Sequence, residues 1–129
     1  MPLMHYSANW PKSLSDIVTL ELDMSWCREA GILAPHEAVI PMGAVLACDA
    51  AGKYVPYMTE LAADEFADNA VAILISQDLP ESREDQPCTV IRRGACVAVA
   101  NIPWADGVTD EQKKTALGQL SALGIVPKE

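Results

Sequence analysis

CTVIRRGACVAVANIPWADGVTDEQKKTALGQLSALGIVP, residues 88–127, holds two apolar strands, a Pro-Trp corner and one well-marked helix. The Thr109 hydroxyl is placed to cap that helix, and Gln112, three residues on, closes a capping box. Asp110 and Glu111 fall in the first turn, where unpaired N–H groups favour negative charge. Ala116, Leu117, Leu120 and Leu123 recur at helical spacing as a narrow apolar stripe, with Lys113, Lys114 and Gln119 turned mainly away from it. A narrow stripe predicts a helix that covers a sheet with one face. Gly124 supplies a left-handed stop, Ile125 is placed to fold back onto Leu120, and Pro127 forbids a helical restart.

Upstream of the helix, Thr89, Ile91, Ala95, Val97 and Val99 carry the β-branched character of strands, and Gly94 interrupts them as a turn or bulge. Arg92 and Arg93 read either as an anion site or as a solvated edge that discourages strand addition. Trp104, between Pro103 and the Asp106-Gly107 turn, either plugs the base of the helix or faces a partner chain.

The chain has 129 residues, the size of one domain with a sizeable core, and its hydrophobic fraction of 50% leaves little room for disorder. Nine basic against eighteen acidic residues give a net charge of -9, which argues against nucleic-acid binding. Cys27, Cys48, Cys88 and Cys96 lack Cys-x-x-Cys spacing, so buried free thiols in a reducing compartment are expected rather than a disulfide framework. No signal-peptide pattern and no apolar run of membrane-spanning length is present, so neither export nor a membrane is expected.

Taken in order, residues 1–15 read as an N-terminal arm, and 16–129 as the domain. Pro2, Asn9, Pro11, Ser13 and Ser15 break any period, while Tyr6, Trp10 and Leu14 are too apolar for an ordinary solvated tail. Such an arm either lands on a partner or packs along its own domain. DIVTLELD (16–23) alternates as a strand, with Val18, Leu20 and Leu22 on its apolar side and Ile17, Thr19 and Glu21 on the other. A short helical turn before Gly31, a turn at Pro41-Met42-Gly43 and a buried strand at 44–48 follow. Asp49-Ala50-Ala51-Gly52 turns the chain into 53–57, an edge strand because Pro56 cannot donate to a ladder. Residues 59–69 form an acidic exposed linker with room for a helical turn at Glu65, 70–75 a buried strand, and 77–86 a mobile polar loop. The expected fold is a small, mostly β, α+β domain: a bent sheet or partial barrel with a C-terminal helix and an extended N-terminal arm.

Chemistry is sparse. His5 and His36 have no carboxylate or cysteine at ligand spacing, the glycines are isolated, and the carboxylates form no distinctive pair. A Cys27–His36 nucleophilic pair is possible by sequence distance alone and lacks a strand-helix elbow.

GKYVPY (52–57), AVAILI (70–75), VIRRGACV (90–97) and WADGVTDEQKKTALGQLSALGIV (104–126), in this order, resemble the head decoration protein D family of tailed bacteriophages over about residues 15–127. The resemblance implies a capsid-stabilising cement protein without catalytic centre, cofactor or metal, made in the host cytoplasm and carried on the outer surface of the virion. It implies homotrimers on the expanded head that bind the major capsid protein and brace the shell against internal DNA pressure, with no nucleic acid or membrane as partner. Mapped onto this chain, the capsid-binding arm would include Tyr6, Trp10, Leu14 and Ile17, while Trp104, Leu117, Leu120 and Ile125 would serve as core or subunit contact. The longer segment 22–40 and the four cysteines depart from the phage lambda form. Two alternatives stand beside it: an oligomeric ligand- or host-factor-binding module, which would need a polar pocket within one subunit, and a small cysteine hydrolase, which would need an exposed thiol of lowered pKa beside a histidine.

Overall fold

Ten short strands, two α-helices and two 3-10 turns make up the described part of the chain in a computed structural model covering Tyr6 and residues 13–129. They are β1 (Val18–Glu21), α1 (Met24–Cys27), β2 (Arg28–Leu33), β3 (Val45–Cys48), β4 (Tyr54–Pro56), β5 (Glu60–Ala62), β6 (Glu65–Phe66), β7 (Ala72–Leu74), β8 (Gln86–Ile91), β9 (Ala95–Ala98), α2 (Asp110–Ala122) and β10 (Ile125–Lys128). The expected mostly β domain with a C-terminal helix is what forms, and the bent sheet closes completely. Strands β2-β4-β3-β7-β8 make a closed barrel, β1-β9-β10 a three-stranded sheet, and β5-β6 a small hairpin.

Burial on both faces of the barrel explains why 44–48 and 70–75 read as unbroken apolar runs. Leu46, Ala72, Leu74 and Val90 belong to one buried cluster with Leu33, Ile40 and Tyr54, while their neighbours Val45, Ile73 and Ile91 belong to a second with Ile17, Val97, Leu120 and Ile125. Strand alternation thus sends one set into the barrel and the other to the layer where α2 and the three-stranded sheet cover its wall. Inside the barrel, Gly31 lies against the Tyr54 ring so closely that a Cβ would sit 2.3 Å from Cε2. That approach explains a glycine in the middle of β2.

Several local expectations change. Residues 22–40 carry a single helical turn, α1, capped by Asp23 through a 2.8 Å bond from the Ser25 N–H, and then the unforeseen six-residue strand β2. Strand β4 is no edge: it lies between β3 and β2, and Pro56 is tolerated because β2 reaches β4 only at Leu33↔Tyr54. Residues around Glu65 form the β5-β6 hairpin rather than a helical turn, with Asp64 at φ 61 in the turn, a conformation aspartate tolerates. The loop 77–86 is tied down by bridges from His36 to Ser82 and from Ile40 to Leu79.

β8 and β9 are not partners. Arg92 and Arg93 carry the chain from barrel to outer sheet, and Gly94 turns it at φ +70, where a Cβ would meet the Trp26 ring at 2.4 Å. β9 then pairs antiparallel with β1 and parallel with β10. The capping box at Thr109 forms as expected, with Gln112 N–H donating to Thr109 Oγ1 at 3.1 Å and Thr109 N–H to Gln112 Oε1 at 2.9 Å. Ala116 and Leu120 are buried, whereas Leu123 is exposed because the chain turns away at Gly124, φ +89, to start β10. Pro127 ends the helical option and is accommodated in β10, the outermost strand of its sheet. Gln119 is also not a solvent-facing residue, since it accepts from the Ala70 N–H at 2.8 Å and donates to the Asp68 carbonyl at 3.1 Å, clasping α2 to the chain before β7.

Candidate functional site

Residues 13–16, just before β1, form a short capped turn. Ser13 donates to Asp16 through its N–H at 3.2 Å and its hydroxyl at 3.1 Å, and Asn101 Nδ2 donates to the Asp16 carbonyl at 2.8 Å. Leu14 is half-buried against the cluster under α2, and Ile17, grouped with the arm on sequence, is wholly buried within it. Ile17 is therefore a core residue rather than an exposed contact in this conformation.

Farther out, Tyr6 forms an antiparallel bridge with Ala105 and packs, half-buried, against the barrel cluster. Burial pushes its phenol above the ordinary tyrosine range. Of the two aromatic arm residues, Tyr6 thus packs along its own domain, and Trp10 lies outside the described residues.

Trp104 is half-buried beside the start of α2, its ring meeting Tyr57 edge-on at 6.4 Å and 68°. Tyr57 in turn donates to the Gln112 carbonyl at 3.0 Å, joining the Pro-Trp corner to the helix. Leu117 packs half-buried on the same cluster, and Leu120 and Ile125 are fully buried in it.

The arginine pair is occupied within the chain. Arg92 Nη1 donates to Tyr54 Oη at 2.7 Å, while Arg93 donates to the Trp26 carbonyl at 2.6 Å, pairs with Glu29 and lies 6.0 Å over the Trp26 ring. The Arg93 hydrogen bond holds the Glu29 carboxyl below its usual range. These contacts leave neither arginine as an open anion site or a freely solvated edge.

The residues weighed for catalysis are not assembled. The Cys27 thiol is buried and donates to the Gly94 carbonyl at 3.3 Å, and burial raises the Cys48 and Cys88 thiols, keeping them protonated near neutral pH. His36 contacts the Ala38 carbonyl at 2.7 Å and Gln86 Oε1 at 2.8 Å through its two ring nitrogens. Among the described residues no group of His, Cys, Asp and Glu side chains is arranged to hold a metal ion. An open groove of about 1490 Å³ lies beside the β5-β6 hairpin, lined by Pro35, Val55 and Leu61 together with Glu37, Glu65 and Glu81. Those carboxylates form an acidic rim along mixed walls.

The sequence alternation of residues 16–23 left open which of the two faces of β1 is buried. Leu20 and Leu22 are 55% and 68% exposed, and Met24 and Trp26 continue the apolar surface through α1. Alternation revealed the two faces of residues 16–23, while the choice between them depends on β9, which turns Ile17 inward.

Comparison with curated proteins finds no match to this chain. A protein-family model, described as bacteriophage lambda head decoration protein D, matches residues 8–125, which include the barrel, β1, β9 and α2. The chain belongs to the lambda head decoration protein D family: it is a phage structural protein of the capsid surface, a head decoration protein and not an enzyme.

Proposed function

We propose that this protein binds the major capsid protein lattice as trimers on the expanded head, that residues 1–15 serve as the attachment arm of the 16–129 domain, and that the bound trimers brace the shell against internal DNA pressure. The family match carries this reading. Its physical logic begins at the arm root: Ile17 and the Ser13–Asp16 turn hold one end of the segment to the domain, so attachment engages only the residues before it. An extended segment can add backbone hydrogen bonds at a partner's strand edge and seat Trp10 in an adjacent pocket. Tyr6 leaves its bridge to Ala105 in that event, exchanging a contact within the chain for one with the lattice. Each contact can be modest, because three linked subunits raise the effective affinity by orders of magnitude.

Deleting residues 2–12 tests the reading, since it spares the capped turn. The thermal unfolding temperature of the isolated protein should fall only by what the Tyr6 contact contributes, and binding to expanded heads that lack decoration should weaken at least about tenfold, or roughly 1.4 kcal/mol. Unchanged head binding removes the arm from the mechanism, and loss of folding returns the arm to the core.

A further inference from the structure

We propose that the open groove beside the β5-β6 hairpin is a docking site for an extended, arginine- or lysine-bearing segment of another protein. The inference stands apart from capsid attachment, which the reading above assigns to the arm.

The groove opens where the barrel wall parts. β2 meets β4 only at Leu33↔Tyr54, with the Ala34 N–H still donating to the Tyr54 carbonyl at 2.9 Å. Beyond that point β4 offers little backbone to a further strand. Pro56 has no N–H, and its carbonyl accepts from the Thr59 N–H at 3.0 Å and the Thr59 hydroxyl at 2.7 Å. Recognition therefore falls to side chains. Val55 and Ala34, which belong to a small buried cluster with Ala47 and Ala67, give the groove an apolar floor. Both walls are fixed within the chain. On one side His36 and Ile40 bridge to Ser82 and Leu79, and the His36 ring contacts the Ala38 carbonyl and Gln86. On the other, the hairpin is closed at its base by the Met58 N–H on the Ala67 carbonyl at 2.7 Å and the Ala67 N–H on the Thr59 carbonyl at 2.8 Å. A groove already ordered in this way spends little entropy on binding.

Charge and size select the occupant. Glu37, Asp49, Glu65 and Glu81 line the groove against a single cation, Arg83. Asp49 is committed to its own turn, accepting from the Ala51 and Lys53 N–H groups at 2.9 Å and 3.0 Å. The three glutamates are exposed, and none forms an ion pair among the described residues, whereas Glu21, Glu29 and Asp85 each hold a cation of their own chain. A net charge of -9 extends this attraction for cations to longer range and repels nucleic acid and a second copy alike. The volume of about 1490 Å³ exceeds the roughly 300–1,000 Å³ of a small-ligand pocket, so the groove fits a length of chain. A free polyamine would leave Val55 and Leu61 uncovered. An extended segment points alternate side chains to opposite sides, so apolar side chains can meet the floor while long basic stems reach the rim.

The experiment titrates the full chain against a fluorescent peptide of alternating arginine and valine, with an arginine-serine peptide of equal charge for comparison, and reads anisotropy. Wild type should bind the arginine-valine peptide saturably, one peptide per chain, and the arginine-serine peptide more weakly. Replacing two rim carboxylates together, Glu65→Gln with Glu81→Gln, should weaken binding at least about fivefold, the combined effect of two partly solvated charge contacts, while melting stays like wild type. Glu111→Gln with Glu129→Gln removes the same charge from exposed positions that do not line the groove, and should weaken binding less than about twofold. Absence of saturable binding up to millimolar peptide overturns the proposal. Equal losses in the two double variants also overturn it, because the attraction is then that of the whole chain. Equal affinity for the two peptides overturns the use of the floor, and with it an extended segment as occupant. Binding to undecorated expanded heads should be the same for the rim variant as for wild type. Head binding lost together with peptide binding would give the groove to the capsid and overturn the proposal, whereas peptide binding absent with head binding intact would leave decoration standing.

Discussion

Replacing Gly31 with alanine tests the barrel interior directly. The added Cβ would lie 2.3 Å from Tyr54 Cε2 and 2.8 Å from Cδ2, against an optimal carbon-carbon separation of about 3.5 to 4.0 Å. The ring must therefore retreat by more than about 1 Å, yet Tyr54 is only 5% exposed and its hydroxyl accepts a 2.7 Å bond from Arg92. Overpacking of this kind costs about 1 to 3 kcal/mol, and weakening the charged hydrogen bond adds about 1 kcal/mol. Restricting the unfolded chain returns about 0.4 to 1 kcal/mol, because alanine has fewer conformations to lose than glycine. The expected net loss is about 2 kcal/mol, read by urea denaturation as a lower midpoint at unchanged slope. Adding Tyr54→Leu, which frees the space, should recover more than about 1 kcal/mol relative to additivity. A Gly31→Ala change below about 0.5 kcal/mol, or strict additivity with Tyr54→Leu, would refute the packing argument.

Three further outcomes are expected. Leu120→Ala removes a fully buried side chain beneath α2 and should cost about 2 to 5 kcal/mol by denaturant unfolding; a cost below about 0.5 kcal/mol would mean that the helix does not cover the barrel as described. Burial raises the folded-state pKa of Tyr6, Tyr57, Cys48 and Cys88 above the ordinary values, so the unfolded chain gives up these protons first as pH rises. Stability from them is complete below about pH 8.5 and falls as pH climbs through the thiol and phenol ranges, so melting temperature should drop between about pH 9 and 11, and Tyr57→Phe should flatten that drop. In the other direction, the depressed Glu29 carboxyl contributes stability present above the usual glutamate pKa and lost as pH falls through its folded value. Glu29→Gln should remove that part of the acid-side loss in a pH-dependent melt, with a small magnitude because both partners are partly solvated.

Local sequence determined the features whose cause lies within a few residues. The Thr109 cap, the Gly124 stop, the 49–52 turn and the two strands flanking Gly94 are legible because capping, positive φ and side-chain alternation act between near neighbours. The apolar content of 44–48 and 70–75 likewise announced buried strands, although not that one face would enter a barrel and the other a second core. Only the tertiary structure decided what depends on distant partners. β2 exists as a strand because β8, some sixty residues away, pairs with it from Arg28↔Ile91 to Leu33↔Gln86, and the ring closes through the single pair Leu33↔Tyr54. The arm residues show the same division: composition marked Tyr6, Trp10 and Leu14 as apolar in an irregular segment, but the burial of Ile17 and the Tyr6–Ala105 bridge arise from elements nearly a hundred residues downstream. The direction of Leu20 and Leu22 is the clearest case, because a strand's alternation is symmetric between its two faces and only pairing with β9 breaks that symmetry.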